Sequence, residues 1–331
     1  LGEECENLWW GLVGWGGNFD GDRGLITSPS SADRAASHNR LIGLLLTLGG
    51  AVMFSGKAIV IKLSYLDYEV TSIVLLGLRM AFALPFFLVI GYLKRQKTGD
   101  QQSVSPRAFG VIILLGIFGY YLASYTDFLG LQYLSAGMER LILFSYPTMV
   151  LLIQRVAFKT PIKPVQWLAT AICYAGIALA FSGSDFTLGD KFSLGAGLVF
   201  LSALLYSFYV IGSGKLTPVI GSIRFTSLAM LAACGVVLLH VLLSGNTLLG
   251  LPWGLYGYGL TLAIFCTVIP GYMVTEGIRR IGANDAAILG AVGPVATIVL
   301  EYFILGEYLN LVQGLGAGLV IFGVVIIGRS K

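Results

Sequence analysis

The sequence predicts an all-α integral-membrane protein, with ten transmembrane helices arranged as two inverted five-helix repeats. Three observations predict it. The 331 residues are 56% hydrophobic and only 11% charged, against about 25% charged in an ordinary soluble domain. The apolar residues fall in runs of about 20, the length that crosses a bilayer as a helix. The basic residues gather in every second connection, as they do in the cytoplasmic loops of membrane proteins. Mean hydropathy is +0.84, which excludes a water-soluble core with a solvated shell.

The ten runs cover residues 41–63, 70–93, 107–126, 134–156, 164–182, 193–214, 222–244, 254–275, 284–305 and 310–328. Before them, the chain opens on Leu rather than Met. Residues 1–38 mix three early glutamates, a Trp-rich stretch and the polar TSPSSADRAASHNR. The apolar part is too short to span and lacks a basic flank, so it is not a signal peptide. It reads as an extension, disordered or artefactual. The remainder divides into a first five-helix repeat, 39–186, and a second, 187–331. Connections after residue 40 are short, leaving no room for a soluble domain.

Charge sets the orientation. Arg34 and Arg40 precede the first span, and Lys94, Arg95, Lys97 and Arg107 follow the second. Arg155, Lys159 and Lys163 follow the fourth, Lys215 and Arg224 the sixth, Arg279 and Arg280 the eighth, and Arg329 and Lys331 the tenth. The opposite connections carry Asp67, Glu69, Asp127, Asp185, Asp190 and Glu307, with Lys191 the one basic residue clearly among them. This alternation predicts an even number of spans in the cell (inner) membrane, with both termini cytoplasmic.

A repeat lies beneath the runs. Sliding the chain by 147 residues lays GLQYLSAGMERLILFSYP (Gly130–Pro147) over GIRRIGANDAAILGAVGP (Gly277–Pro294). Gly130, Ala136 and Pro147 meet Gly277, Ala283 and Pro294. Val165, Gln166, Leu168 and Gly176 meet Val312, Gln313, Leu315 and Gly323. Five spans is an odd number, so the second half enters the bilayer inverted. Inverted halves are typical of secondary transporters, whose sites lie near the midplane between them.

These segments carry a resemblance. LSAGMERLILFSYP and IGANDAAILGAVGP opening spans four and nine, Arg79 in span two, and FILGEYLNLVQGLGAGLVIFG (Phe303–Gly323) are similar to the EamA type of the drug/metabolite transporter superfamily. The resemblance covers residues 41 to 329. It implies a small-metabolite carrier, often an exporter, with no particular substrate. The first half departs from the pattern, with Lys159-Thr160 where the second has Gly306-Glu307.

Charges inside spans are the candidate site residues, because a charge at the bilayer centre costs about 2.5–3.5 kcal/mol on insertion scales. Arg79 sits mid-span, where it clamps neighbouring helices or binds a substrate carboxylate or phosphate. Glu139 and Arg140 sit one turn inside span four, where the other half has Ala286 and Ala287. As i,i+1 neighbours they do not face each other on the helix, so one is expected to face a cavity and the other an adjacent span. Glu139 is a candidate partner for Arg79. Lys57 lies deep in span one, whereas Lys62 is near an end and can snorkel. Glu139 and Glu301 are candidate proton carriers. Tyr120, Tyr121, Ser124, Tyr125 and Asp127 at the end of span three offer a binding wall or an interfacial belt, and Tyr206, Tyr209 and Tyr272 repeat the theme. Pro147 and Pro294, at equivalent places, are candidate hinges. Gly314, Gly316 and Gly318 allow close helix contact.

No catalytic residue, metal ligand set or cofactor motif is expected. The four cysteines show no C-x-x-C spacing, and those inside apolar runs read as buried thiols. The expected partners are a small-molecule substrate (an amino acid, an amine or a related compound) and the lipid bilayer, with no nucleic acid, in a monomer or homodimer. The competing class is an integral-membrane lipid or glycosyl transferase, which wants catalytic residues clustered at one membrane face. The sequence has two histidines, His38 and His240, and no such cluster. No ATP-binding segment is found, so transport must draw on a gradient or exchange.

Overall fold

The computed structural model describes residues 31–98, 105–182, 191–305 and 311–329, and the regular elements among them are all helices. In order these form α1 (Ser31–Asp67), α2 (Ser72–Thr98), α3 (Pro106–Gly130), α4 in two segments (Ala136–Leu143 and Tyr146–Ala157) and α5 (Pro164–Ser182). The second half gives α6 (Phe192–Ile220), α7 (Ser222–Leu243), α8 (Trp253–Ile281), α9 in two segments (Ala283–Leu289 and Val292–Leu305) and α10 (Leu311–Arg329). The first helix begins at Ser31, inside the stretch read as an extension. Residues 1–30, Gly306, Glu307 and the side chain of Glu301 lie outside the described residues.

Among the described residues, eight spans are long and apolar enough to cross a membrane, namely those of α1–α4 and α6–α9. The expected ten include α5 and α10, whose apolar stretches are shorter, Pro164–Leu179 and Gly314–Ile327. At 1.5 Å per residue these reach only about 21–24 Å, short of a hydrocarbon core of about 30 Å.

The repeat of 147 residues is written into the helix irregularities. α3 contains a π-helical turn at Ile117–Leu122, and α8 contains one at Ile264–Val268. Their starts differ by 147. α4 breaks after Leu143 and α9 after Leu289, and the segments before each break start at Ala136 and Ala283. Pro147 stands in the first turn of the second α4 segment, and Pro294 is the third residue of its α9 counterpart. Proline lacks the N–H that a helix start leaves unpaired anyway, so each marks where the helix resumes.

Packing repeats the same exchange. A Cβ added to Gly176 of α5 would meet Gly316 O and Val320 of α10, and one on Gly323 would meet Ala169 O and Cys173 of α5. These pairs interconvert under the shift of 147. The equivalent glycines Gly130 and Gly277 also sit at close approaches, a Cβ on Gly130 of α3 lying 3.1 Å from Gly195 O of α6 and one on Gly277 of α8 3.1 Å from Gly43 O of α1. Backbones approach this closely only where no side chain intervenes. Of the three expected packing glycines, Gly316 makes contact through its carbonyl, whereas Gly314 and Gly318 face open space.

Two apolar clusters result. The larger joins α1, α2, α3, α6, α7 and α8, and the smaller gathers α5 and α10 with parts of α4 and α9. Cys173, Cys234 and Cys266 are buried free thiols within them.

Candidate functional site

A cavity of about 120 Å³ lies between the halves, walled by α1–α4 on one side and α6, α8 and α9 on the other. A single ordered water needs only about 10–15 Å³, so the space suits a small organic molecule. Lys57, Arg79, Ser124 and Arg140 line it, as does Pro294. Glu139, Tyr121 and Tyr125 do not.

Arg79 is 1% exposed. Its Nε donates to Thr267 Oγ1 at 2.6 Å, and its Nη1 donates to Ser124 Oγ at 3.2 Å. Thr267, in the π-helical turn of α8, donates its own hydroxyl hydrogen bond to Leu262 O, five residues back, at 2.7 Å. Ser124 follows the π-helical turn of α3. Arg79 is thus held by one such turn from each half, and its guanidinium also stands 5.6 Å from the Phe128 ring centre. Among the described residues its hydrogen-bond partners are neutral hydroxyls. The expected pairing with Glu139 is not made, because Glu139 is taken by a nearer cation.

That cation is Arg140. Its Nε lies 3.0 Å from Glu139 Oε2, and its Nη2 donates to Phe54 O at 3.1 Å. The i,i+1 argument therefore fails for this pair. It concerns the directions of Cβ atoms, whereas a long arginine side chain can fold back along its own helix once both groups are buried. Glu139 is 0% exposed and Arg140 only 7%.

Lys57 Nζ lies 2.6 Å from Asp127 Oδ2. Asp127 is fully buried, although its place in the sequence assigned it to an outer connection. Among the described residues its second oxygen, Oδ1, and both oxygens of Glu139 make no well-formed hydrogen bond, the contact from Arg140 included. With both carboxyls ionised, Lys57, Arg79 and Arg140 outweigh Asp127 and Glu139 by one positive charge.

The aromatic wall differs from the expected one. Tyr120, Ser124 and Asp127 follow the i, i+4, i+7 spacing of one helix face, and Tyr120 lines the cavity. Tyr121 and Tyr125 share the next face, where Tyr121 Oη bonds His240 Nδ1 at 3.1 Å and Tyr125 packs edge-on to the same ring at 5.0 Å. Ser124 therefore separates from Tyr121 and Tyr125. Tyr146 and Tyr206 complete the wall, their ring centres 5.3 Å apart. Tyr146, which the sequence did not single out, begins the second α4 segment and donates to Ala287 O at 3.0 Å across the break in α9. A Cβ on Gly290 would overlap its hydroxyl.

Polar ties join the helices at each end of the cavity. Near the start of α1, Asp285 of α9 accepts from Gln166 of α5 at 2.9 Å and stands 3.8 Å from Arg40. Arg40 also donates to Ile327 O of α10. Near the end of α1, Lys62 donates to Leu131 O and Leu134 O at 2.9 and 2.7 Å, and Tyr258 of α8 donates to Asp67 at 2.5 Å. Lys62, half-buried, thus caps carbonyls at the end of α3.

A multi-pass helical protein with a charged, enclosed cavity between two repeated halves has the form of a membrane transporter. Residues 41–182 and 193–329 each match the model of the EamA-like transporter family, and the chain belongs to that family. It is 33% identical over 287 residues to the "Uncharacterized transporter YcbK" of Bacillus subtilis, covering 85% of this chain and 90% of that one. It is 26% identical over 202 residues to the "Uncharacterized inner membrane transporter YedA" of Escherichia coli K12, covering 60% and 64%. A solved crystal structure superposes with a TM-score of 0.64 at 15% identity, over 88% of this chain and 96% of that one, which demonstrates a common fold.

Proposed function

We propose that this chain is a secondary active transporter that moves a small metabolite by alternating access. In this reading ten helices cross the membrane as two inverted halves, with both termini cytoplasmic. The observation that carries it is the position of the buried cationic cavity, between halves whose π-helical turns, helix breaks and glycine contacts exchange under one shift of 147 residues. Two similar halves about one site can trade places, which is what opening to alternate sides requires. The polar ties at each end of the cavity are the groups that would part in turn. The broken helices at Pro147 and Pro294 are where the halves would bend.

Glu139 is the proposed proton site, supported by its burial beside Asp127 with no well-formed hydrogen bond to its carboxyl oxygens among the described residues. Glu301 remains a second candidate from its place in span nine. Export is the proposed direction, from the resemblance to exporters of the family.

The test is flux in proteoliposomes under an imposed pH gradient, with pooled metabolites, comparing the parent with Glu139→Gln. Saturable gradient-driven flux that the variant loses is the expected result. Flux that the variant retains would remove Glu139 from the coupling. No flux from folded protein with any pool would sink the transporter reading.

A further inference from the structure

We infer that the cavity takes a small organic monocarboxylate, its carboxylate on Arg79 and its apolar part against Tyr120, Tyr146 and Tyr206. This deepens the transporter reading and rests on it. Three observations select the class. Lys57 and Arg140 are each paired with a carboxylate, whereas among the described residues Arg79 has only the hydroxyls of Thr267 and Ser124 as hydrogen-bond partners. Arginine carries five N–H donors in a planar fork that matches a carboxylate edge. The Nε and Nη1 bonds fix the plane of the fork and leave Nη2 without a protein partner among the described residues.

The second observation is the donor count: Lys57 and Arg140 are engaged, which leaves one guanidinium fork among the described cavity residues. One fork matches one carboxylate edge, whereas a phosphate would need a second uncommitted donor group.

The third observation concerns amines. Asp127 and Glu139 do not line the cavity, and each already faces a cation. A ligand's ammonium group would meet no carboxylate there and would sit among three cations. Free amines and amino acids are disfavoured relative to acids that lack the amino group. The tyrosine wall supplies apolar contact with ring faces, which suits a carboxylate carrying an aromatic or branched apolar group.

The experiment measures binding, not transport. Thermal unfolding of the purified full chain is followed with four probes of one shape: benzoate, benzamide, benzylamine and phenyl phosphate. Benzoate is expected to raise the melting temperature saturably, and to bind about tenfold or more tighter than benzamide, since only the former makes charge-assisted bonds. Arg79→Gln is expected to abolish that preference. If this variant does not fold, Thr267→Val and Ser124→Ala keep the cation but free it, and each should weaken benzoate several-fold while leaving benzamide unchanged. Benzylamine binding as well as benzoate, phenyl phosphate binding tighter, or no shift with any probe would each overturn the proposal. Flux assays with the same probes separate the two readings. Flux of the amine keeps the transporter and sinks the carboxylate site. Benzoate binding without flux does the reverse.

Discussion

Arg79 and Thr267, 188 residues apart in the chain, meet through a hydrogen bond of 2.6 Å between Nε and Oγ1. The bond joins the two halves of the protein across the cavity. It also uses a hydroxyl, from a π-helical turn, whose proton is committed to a carbonyl. Such turns leave the regular i to i−4 ladder and are frequent at functional sites. Here the turn gives Thr267 an acceptor lone pair aimed at the guanidinium.

Replacing Arg79 by lysine keeps the charge but not the fork. A single ammonium cannot hold Thr267, Ser124 and a ligand in one plane. Arg79→Lys is expected to fold and to lower kcat/KM for transport by about tenfold or more, the scale of one lost charge-assisted pair. Initial rates in proteoliposomes check this, and unaltered rates would count against Arg79 as the binding group.

Lys57 and Asp127 should fail singly and recover together. Lys57→Met leaves Asp127 as an uncompensated buried charge, at a cost of about 3–5 kcal/mol. Adding Asp127→Asn removes that charge, and most of the lost stability should return. Thermal melts of the two single variants, the double variant and the parent measure the coupling. Additive losses would mean that the ion pair is not what links them.

Lys159 holds φ at +50°, in the left-handed region that non-glycine residues adopt at a cost. Its equivalent in the second half is Gly306. Lys159→Gly is therefore expected to raise stability by about 0.5–1 kcal/mol, relief of left-handed strain outweighing the extra entropy of the unfolded glycine. A lowered melting temperature would show instead that the lysine side chain contributes more than its backbone strain removes.

The proposed orientation has its own test. With the native cysteines replaced, a single cysteine at Asp67 should react with an impermeant thiol reagent added outside intact cells. One at Lys159 should react only after the membrane is opened. The opposite pattern would invert the topology, and labelling of both from one side would remove a helix from the count.

Much of the fold was legible before any coordinate. Each helix lies where an apolar run predicted it, because in lipid a backbone must satisfy its own polar groups, and a helix does so within one segment. The repeat was legible too, although few identities carried it. The irregularities that make it plain, at Ile117–Leu122 and Ile264–Val268, have no marker in the residue types. The site was half legible. Arg79, Arg140 and Lys57 stood out because charge is rare in an apolar run. Asp127 was legible only as one of the polar groups closing span three, and its ion pair with Lys57 was not, because it falls where an outer connection was expected. Thr267 and Tyr146 hid because uncharged residues draw no notice in a membrane helix.

Composition and the spacing of apolar runs determined the class of structure, and the basic residues between runs determined the expected orientation. Both follow from local transfer energies, which each segment meets alone. What the tertiary structure decided was pairing: Lys57 with Asp127, Glu139 with its neighbour Arg140, and Arg79 with no carboxylate among the described residues. Pairing depends on which faces meet when separate helices pack. Residues tens to hundreds of positions apart come together there, and no local rule links them. The unmatched cation that defines the cavity exists only as the remainder of those pairings.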